Sequence, residues 1–212
     1  MAERTVVHLL RHGEVHNPEG ILYGRLPGFH LSELGQRMAQ RVASTVKDRD
    51  IVLVKASPLE RAQETAAPIA AVRGLEVKTD PDLIEGENVF EGMRVSVGEV
   101  ARHPRLLRYL WNPLRPSWGE PYVDMAARMR VAIDRARIEA SGHEALVVSH
   151  QLPIWVARLD AEHRRFAHDP RHRQCSLASV TSLEFDQDAL TAIIYTEPAA
   201  DLTARASKGA GA

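Results

Sequence analysis

The sequence holds a single cysteine, Cys175, in 212 residues. That excludes an internal disulfide framework and agrees with a reducing compartment. Its surroundings, Arg173-Gln174-Cys175-Ser176, match no nucleophile setting, so a small packed apolar side chain is the expected role. Long apolar runs are missing too: none approaches the roughly 20 residues that a membrane-spanning helix needs, and Met1-Ala2-Glu3-Arg4 leads straight into a strand pattern without a signal-peptide core. A cytoplasmic location and no membrane partner are expected on these grounds. Net charge is scarce as well, since 27 basic residues against 28 acidic ones leave −1, and no global field draws the chain to nucleic acid. Any anion-binding site must therefore be local. No internal repeat is visible.

What remains is a soluble globular composition, 44% apolar and 26% charged, long enough for one α/β domain with a sizeable core and a small insertion. Thr5 to Leu10 reads as a buried strand. Ser32 is placed to cap a helix running to about Lys47, with Leu34, Met38, Val42 and Val46 on one face. Ile51 to Val54 is a second buried strand. Ser57-Pro58-Leu59-Glu60 has the form of a capping box, which predicts a helix from Pro58 to about Val72, stopped at Gly74. Leu75 to Thr79 is a further short strand. From Glu85 to Pro121 the pattern turns irregular, with Trp111 and Trp118, and is expected to be a cap insertion, about 86–121, over the site. Tyr122 to Ala140 is a long helix with Met125, Met129 and Ile133 in register, ended by Ser141-Gly142. Ala145 to Val148 is a third buried strand, followed by a short helix to about Leu159. Ser179 to Phe185 and Leu190 to Tyr195 form an antiparallel pair through Asp186-Gln187-Asp188. Residues 1–197 are thus read as one domain, and 198–212, rich in Ala and Gly, as a disordered tail.

Strands alternating with helices imply a three-layer α/β/α sandwich around a mostly parallel, mixed sheet. In such sheets ligands bind beyond the carboxyl ends of the strands. Three apolar runs lead into basic groups: Arg11 with His12, Arg61 one helical turn after the second strand, and His150. Two arginines and two histidines at one point suit a multiply charged tetrahedral anion, because each guanidinium offers a planar fork of donors to phosphate oxygens. The same field lowers the pKa of a neighbouring imidazole and keeps His12 neutral and nucleophilic.

These residues also carry a family resemblance. Arg11-His12-Gly13-Glu14, Gly24-Arg25 with Leu31-Ser32-Glu33-Leu34-Gly35, Ser57-Pro58-Leu59-Glu60-Arg61-Ala62-Gln63-Glu64-Thr65-Ala66, Leu83-Ile84-Glu85 with Phe90-Glu91-Gly92, Gly119-Glu120 and Val148-Ser149-His150 stand in the order of the histidine phosphatase superfamily, also called phosphoglycerate mutase-like. The chain resembles that family from about residue 5 to 185. The resemblance implies a metal-independent phosphomonoesterase without cofactor, acting on a small phosphorylated metabolite. In it His12 becomes phosphohistidine, Arg11, Arg61 and His150 bind the phosphoryl oxygens, and a carboxylate protonates the leaving alcohol. Glu85 is favoured for that acid because it follows Leu83-Ile84, with Glu87 and Glu91 as competitors. Asn17, Gly24 and Gln151 are expected on the substrate side, and Arg94, just after Phe90-Glu91-Gly92, is expected to reach it from the cap.

The sequence departs from the family pattern at Val15, where Thr is usual, at Asn17, one residue early, and at Gln151, where Gly is usual. A phosphoglycerate mutase is the alternative within the same chemistry, disfavoured by the short chain and differing cap. A catalytically idle phosphate-binding regulatory protein is the alternative outside it. His16 is expected at the site rim and not as half of a metal pair, because Gly13 and Pro18 argue against the helix that such spacing needs. The basic stretches Arg102 to Arg115 and His163 to Arg173 read more often as solvated faces than as holders of an anionic substrate's distal end or of RNA. The oligomeric expectation stays open between monomer and homodimer.

Overall fold

In the computed structural model of the chain the described residues are 4–94 and 119–206. Six strands, β1 (Arg4–Arg11), β2 (Ile51–Ala56), β3 (Val77–Thr79), β4 (Glu144–Ser149), β5 (Val180–Asp186) and β6 (Ala189–Thr196), form one sheet in the order β3-β2-β4-β1-β5-β6. The first four in that order run parallel, β5 pairs antiparallel with β1, and β6 pairs antiparallel with β5. The helices are α1 (Glu33–Val46), α2 (Glu60–Arg73), α3 (Tyr122–Glu139), α4 (Gln151–Ala161) and the short α5 (Ala200–Thr203).

The strands that read as unbroken apolar runs are covered on both faces, as parallel strands must be. Alternation along them divides the core in two. Leu10, Val54, Leu146 and Val148 pack with Met38, Val42 and Ile69 of α1 and α2. Val7, Leu9, Leu53 and Val147 pack with Met129, Ile133 and Ile154 of α3 and α4. The layered, mixed α/β architecture expected from the periodicity is therefore the one observed.

Local signals were accurate where a side chain could satisfy backbone groups alone. Ser32 is the N-cap of α1 and its hydroxyl accepts from Gly35 N at 2.9 Å. Gly74 ends α2 in the left-handed region, φ 65°, where a side chain would be strained. Leu75 N is then used up on Ala70 O, 2.9 Å, so β3 starts two residues later than expected.

Two readings require correction. Ser57 does not cap α2: the helix begins at Glu60 with Leu59 at the N-cap and no side-chain cap bond, because the Ser57 hydroxyl is engaged by His150, 2.8 Å away. Residues 198–206, expected to be disordered, are described: Leu202 of α5 and Ala199 are buried against the α1 and α2 side of the core, and small residues let this segment lie close. Most of the cap insertion, with Trp111, Trp118 and Arg102 to Arg115, lies outside the described residues.

The turn after β1 packs tightly on the start of α1. A Cβ on Gly35 would meet Glu14 O at 2.0 Å and one on Gly13 would meet Gly35 O at 2.6 Å. Backbone against backbone cannot yield cheaply, so Gly35→Ala is expected to destabilise the fold by about 1–3 kcal/mol, read as a lower urea midpoint at unchanged m value. An unchanged midpoint contradicts this packing.

Candidate active site

β1 and β4 lie side by side in parallel, with Arg11 opposite Ser149, so the residues that follow them emerge together. His12 N donates to Ser149 O at 3.1 Å and Ser57 N to Val148 O at 2.9 Å, which brings the exits of β1, β2 and β4 to one place. The turn is stapled from the side: Gly13 N donates to Thr65 Oγ1 at 3.1 Å, and the Thr65 hydroxyl in turn donates to Arg61 O at 2.7 Å. Thr65 sits one turn beyond Arg61 on α2, so the helix that presents the arginine also fixes the histidine's turn.

His12 is buried, at 2% exposure. Its Nδ1 donates to Gly13 O at 2.8 Å, which leaves the lone pair on Nε2. Burial, then Arg61 and Arg11, hold its pKa well below the usual imidazole value. The His150 ring stands edge-on to it, centroids 5.1 Å apart, and is depressed by burial and by Arg61 in the same way. Arg11 is aimed by one bond, Nη1 to Cys175 O at 2.7 Å. Arg61 is fully buried, its guanidinium 4.7 Å from the centre of the Tyr23 ring and its Nη2 donating to Gly24 O at 2.6 Å.

Neither Arg11 nor Arg61 has a carboxylate within ion-pair distance among the described residues. Arg11 Nε, Arg61 Nε and Nη1, and His150 Nδ1 are buried without a hydrogen-bond partner there. Each such group costs about 1–3 kcal/mol or more, so the fold holds this cluster at a cost that an anion would relieve. Cys175, whose thiol burial pushes up to about 11, is the packed neutral side chain expected of it.

A cavity of about 320 Å³ opens in front of His12 and Arg11, and Gly24, Glu85 and Gln151 line it. Arg61 and His150 lie beside His12 but away from this wall, both at 0% exposure. Burial raises the Glu85 pKa above the usual carboxylate range, against the hydrogen bond from Gly86 N, 2.8 Å. Its competitors are engaged elsewhere: the exposed Glu87 carboxylate binds Arg25 Nη1 at 2.8 Å, and Glu91 accepts from Arg25 N at 2.9 Å. Arg25 also donates from Nε to Glu85 O at 2.7 Å and so fixes the backbone that carries the acid.

Two expected contacts are not at this wall. Asn17 spends its amide on its own loop, donating to Ile21 O at 2.8 Å and accepting from Ile21 N at 3.0 Å. Arg94 bridges to Ile21 and pairs at the surface with Glu19, 2.9 Å, because the segment after Gly92 folds back on residues 19–22. His16 is exposed and its backbone pairs with His30 O, also off the cavity. Sequence reasoning missed Tyr23, Thr65 and Arg173. Thr65 had a usable signal, its i+4 spacing from Arg61, whereas Tyr23 and Arg173 arrive from loops without periodicity.

Residues 7–197 match the family model described as histidine phosphatase superfamily (branch 1). Rv0525 of Mycobacterium tuberculosis is 62% identical over 201 residues, covering 94% of this chain and 100% of that protein. A probable phosphoglycerate mutase GpmB of Yersinia enterocolitica is 32% identical over 152 residues, 70% of each chain. Among solved structures, the mycobacterial glucosyl-3-phosphoglycerate phosphatase Rv2419c superposes with a TM-score of 0.73 at 25% identity, covering 93% of this chain and 99% of that one. The chain belongs to the histidine phosphatase superfamily.

With both histidines held neutral, neither ring is expected to titrate near the ordinary imidazole value of about 6.5 in a histidine NMR titration, and His12 should show the Nδ1–H tautomer there. The unfolded chain takes up protons below about 6.5 that the folded site refuses, so stability should fall as pH drops from there. A midpoint near 6.5 for His12 contradicts the geometry.

Proposed function

We propose that this member of the histidine phosphatase superfamily is a metal-independent phosphomonoesterase that works through a phosphohistidine on His12. The observation that carries the reading is a neutral imidazole with Nδ1 committed to Gly13 O and the lone pair left on Nε2, set among guanidinium donors that have no carboxylate in ion-pair contact among the described residues.

In the first step the Nε2 lone pair attacks phosphorus as the ester P–O bond breaks, and the Glu85 carboxyl gives its proton to the departing alkoxide. Arg11, Arg61 and His150 stabilise the charge on the phosphoryl oxygens, which are then held by fixed donors at no reorganisation cost. In the second step the Glu85 carboxylate takes a proton from water as its oxygen attacks phosphorus. The P–N bond breaks, phosphate leaves, and His12 is neutral again. The arginines do the charge neutralisation for which other phosphoryl-transfer enzymes use magnesium. A small phosphorylated metabolite as substrate, a cytoplasmic setting, a monomer or homodimer and no nucleic-acid partner complete the proposal. The compartment is supported by the single, buried cysteine.

The likeness to a probable phosphoglycerate mutase favours one second reading, in which the phosphoenzyme resists water and returns its phosphoryl group to substrate. Slow hydrolysis after stoichiometric phosphorylation by 2,3-bisphosphoglycerate, with interconversion of the monophosphates, would decide for it.

The native protein should hydrolyse an aryl phosphate in the presence of EDTA, and His12→Ala should abolish turnover. Activity that survives in His12→Ala, or no turnover by the native chain, sinks the phosphatase reading. Glu85→Gln should lower kcat on alkyl phosphates by about 10²–10⁴-fold and affect a nitrophenyl ester much less, since a good leaving group needs no acid. The acid must be protonated for the first step, so native kcat/KM on alkyl esters should fall as pH rises through the raised Glu85 pKa; equal losses on both ester types would remove Glu85 from the role. Arg61→Lys should lose most activity, because a point charge does not replace the fork, and native rates in that variant contradict its assignment.

A further inference from the structure

The acids and bases around the cavity do not cancel evenly. Glu120 is held by Arg25 at 3.0 Å and by Arg128 at 2.7 Å, and Glu87 by Arg25 at 2.8 Å. Arg11 and Arg61 are committed to the His12 end. One cation on the wall is left over: Arg173, from the loop after α4, has no carboxylate within ion-pair distance among the described residues.

Arg173 is nevertheless held in place. Its Nε donates to His168 Nε2 at 2.8 Å, and His168 Nδ1 donates to Phe166 O at 2.6 Å, so a neutral imidazole of fixed tautomer takes up the inner edge of the guanidinium. Burial, with Arg173 itself contributing, keeps His168 below the usual imidazole range, which maintains it as an acceptor. Gln151 Oε1 touches Nη1 only at the long distance of 3.4 Å. Gln151 stands directly after His150, so the phosphoryl end and this arginine are linked through one residue. Tyr122, on the same wall, also hydrogen-bonds the Arg173 side chain, and the donors of the fork that remain beyond it are the part left to a ligand in the cavity.

We propose that Arg173 binds a carboxylate on the substrate, so that the preferred substrates are phosphomonoesters that also carry a carboxylate group. A planar carboxylate matches the donors of the fork that His168 and Tyr122 leave over. A second phosphoryl group fits less well, since its additional charge meets no further unpaired cation among the described residues of the wall: Arg25 and Arg128 are spent on Glu87 and Glu120. This deepens the phosphatase reading and rests on it for the placing of the phosphoryl group beside His12.

The test uses three unreactive phosphonates on a common three-carbon spacer and calorimetric binding to the native chain. 4-Phosphonobutyrate should bind about tenfold or more tightly than butylphosphonate, the value of one charge-assisted fork, and more tightly than propane-1,3-diphosphonate. Arg173→Met should bring the first two within about twofold, and Arg173→Lys, which keeps charge without the fork, should keep only part of the preference. Should the Met variant fail to fold, the Lys variant and the native comparison still decide. Equal native affinities for carboxylate and methyl ends, tighter binding of the diphosphonate, or a preference untouched by both substitutions overturns the proposal. A carboxylate preference in a protein that hydrolyses no phosphomonoester would leave this inference standing and refute the phosphatase reading instead.

Discussion

Uncompensated positive charge beside a buried neutral imidazole is the constraint on which the rest of the site depends. Arg11 and Arg61 share the base of the site with two histidines and, among the described residues, no carboxylate in ion-pair contact, an arrangement that a folding core would not keep for stability. It persists because each guanidinium is pinned by a backbone carbonyl, Cys175 O for Arg11 and Gly24 O for Arg61, and Arg61 also stacks on Tyr23. Carbonyl and ring acceptors orient a cation without neutralising it. The field that remains depresses both imidazoles and is available to an anion.

The topology makes this economical. β4 inserts between β1 and β2, so three chain exits meet at one sheet edge and deliver His12, His150 and Ser57 within hydrogen-bond or ring-contact distance. α2 then supplies both Arg61 and, one turn on, the Thr65 hydroxyl that holds Gly13. Around the rim Arg25 works differently, pairing Glu87 and Glu120 while its Nε holds the Glu85 backbone. The result is an acid wall in which Glu85 is desolvated and its neighbours are neutralised, a division of labour among carboxylates that the proposed proton transfers require.

Much of this was legible in the sequence, and the limits have physical reasons. Buried parallel strands announce themselves as unbroken apolar runs, and basic residues at their ends stand out because they interrupt those runs; β1, β2, β4 and the convergence of Arg11, His12, Arg61 and His150 followed from that. Helix ends governed by one side chain or one φ angle, Ser32 and Gly74, were equally readable. Ser57 was misread because its local pattern is that of a cap, while a histidine 93 residues away claims the hydroxyl. Asn17 and Arg94 were placed at the site by motif position, yet loops fold on themselves according to contacts that no spacing encodes. Leu202 was hidden in an Ala-rich tail, where a single buried side chain leaves no periodic trace. Arg173 lay inside a basic stretch, and only the fold separates the one arginine at the cavity from its exposed neighbours.

The central claim is that the free Nε2 of His12 is the atom that takes the phosphoryl group. Rapid quenching in base during turnover of a phosphomonoester, followed by phosphorus NMR and peptide mass mapping, measures this directly. The account predicts an acid-labile phosphoryl group on Nε2 of His12. A phosphoryl group on Nδ1, on His150, or on no histidine at all would contradict it.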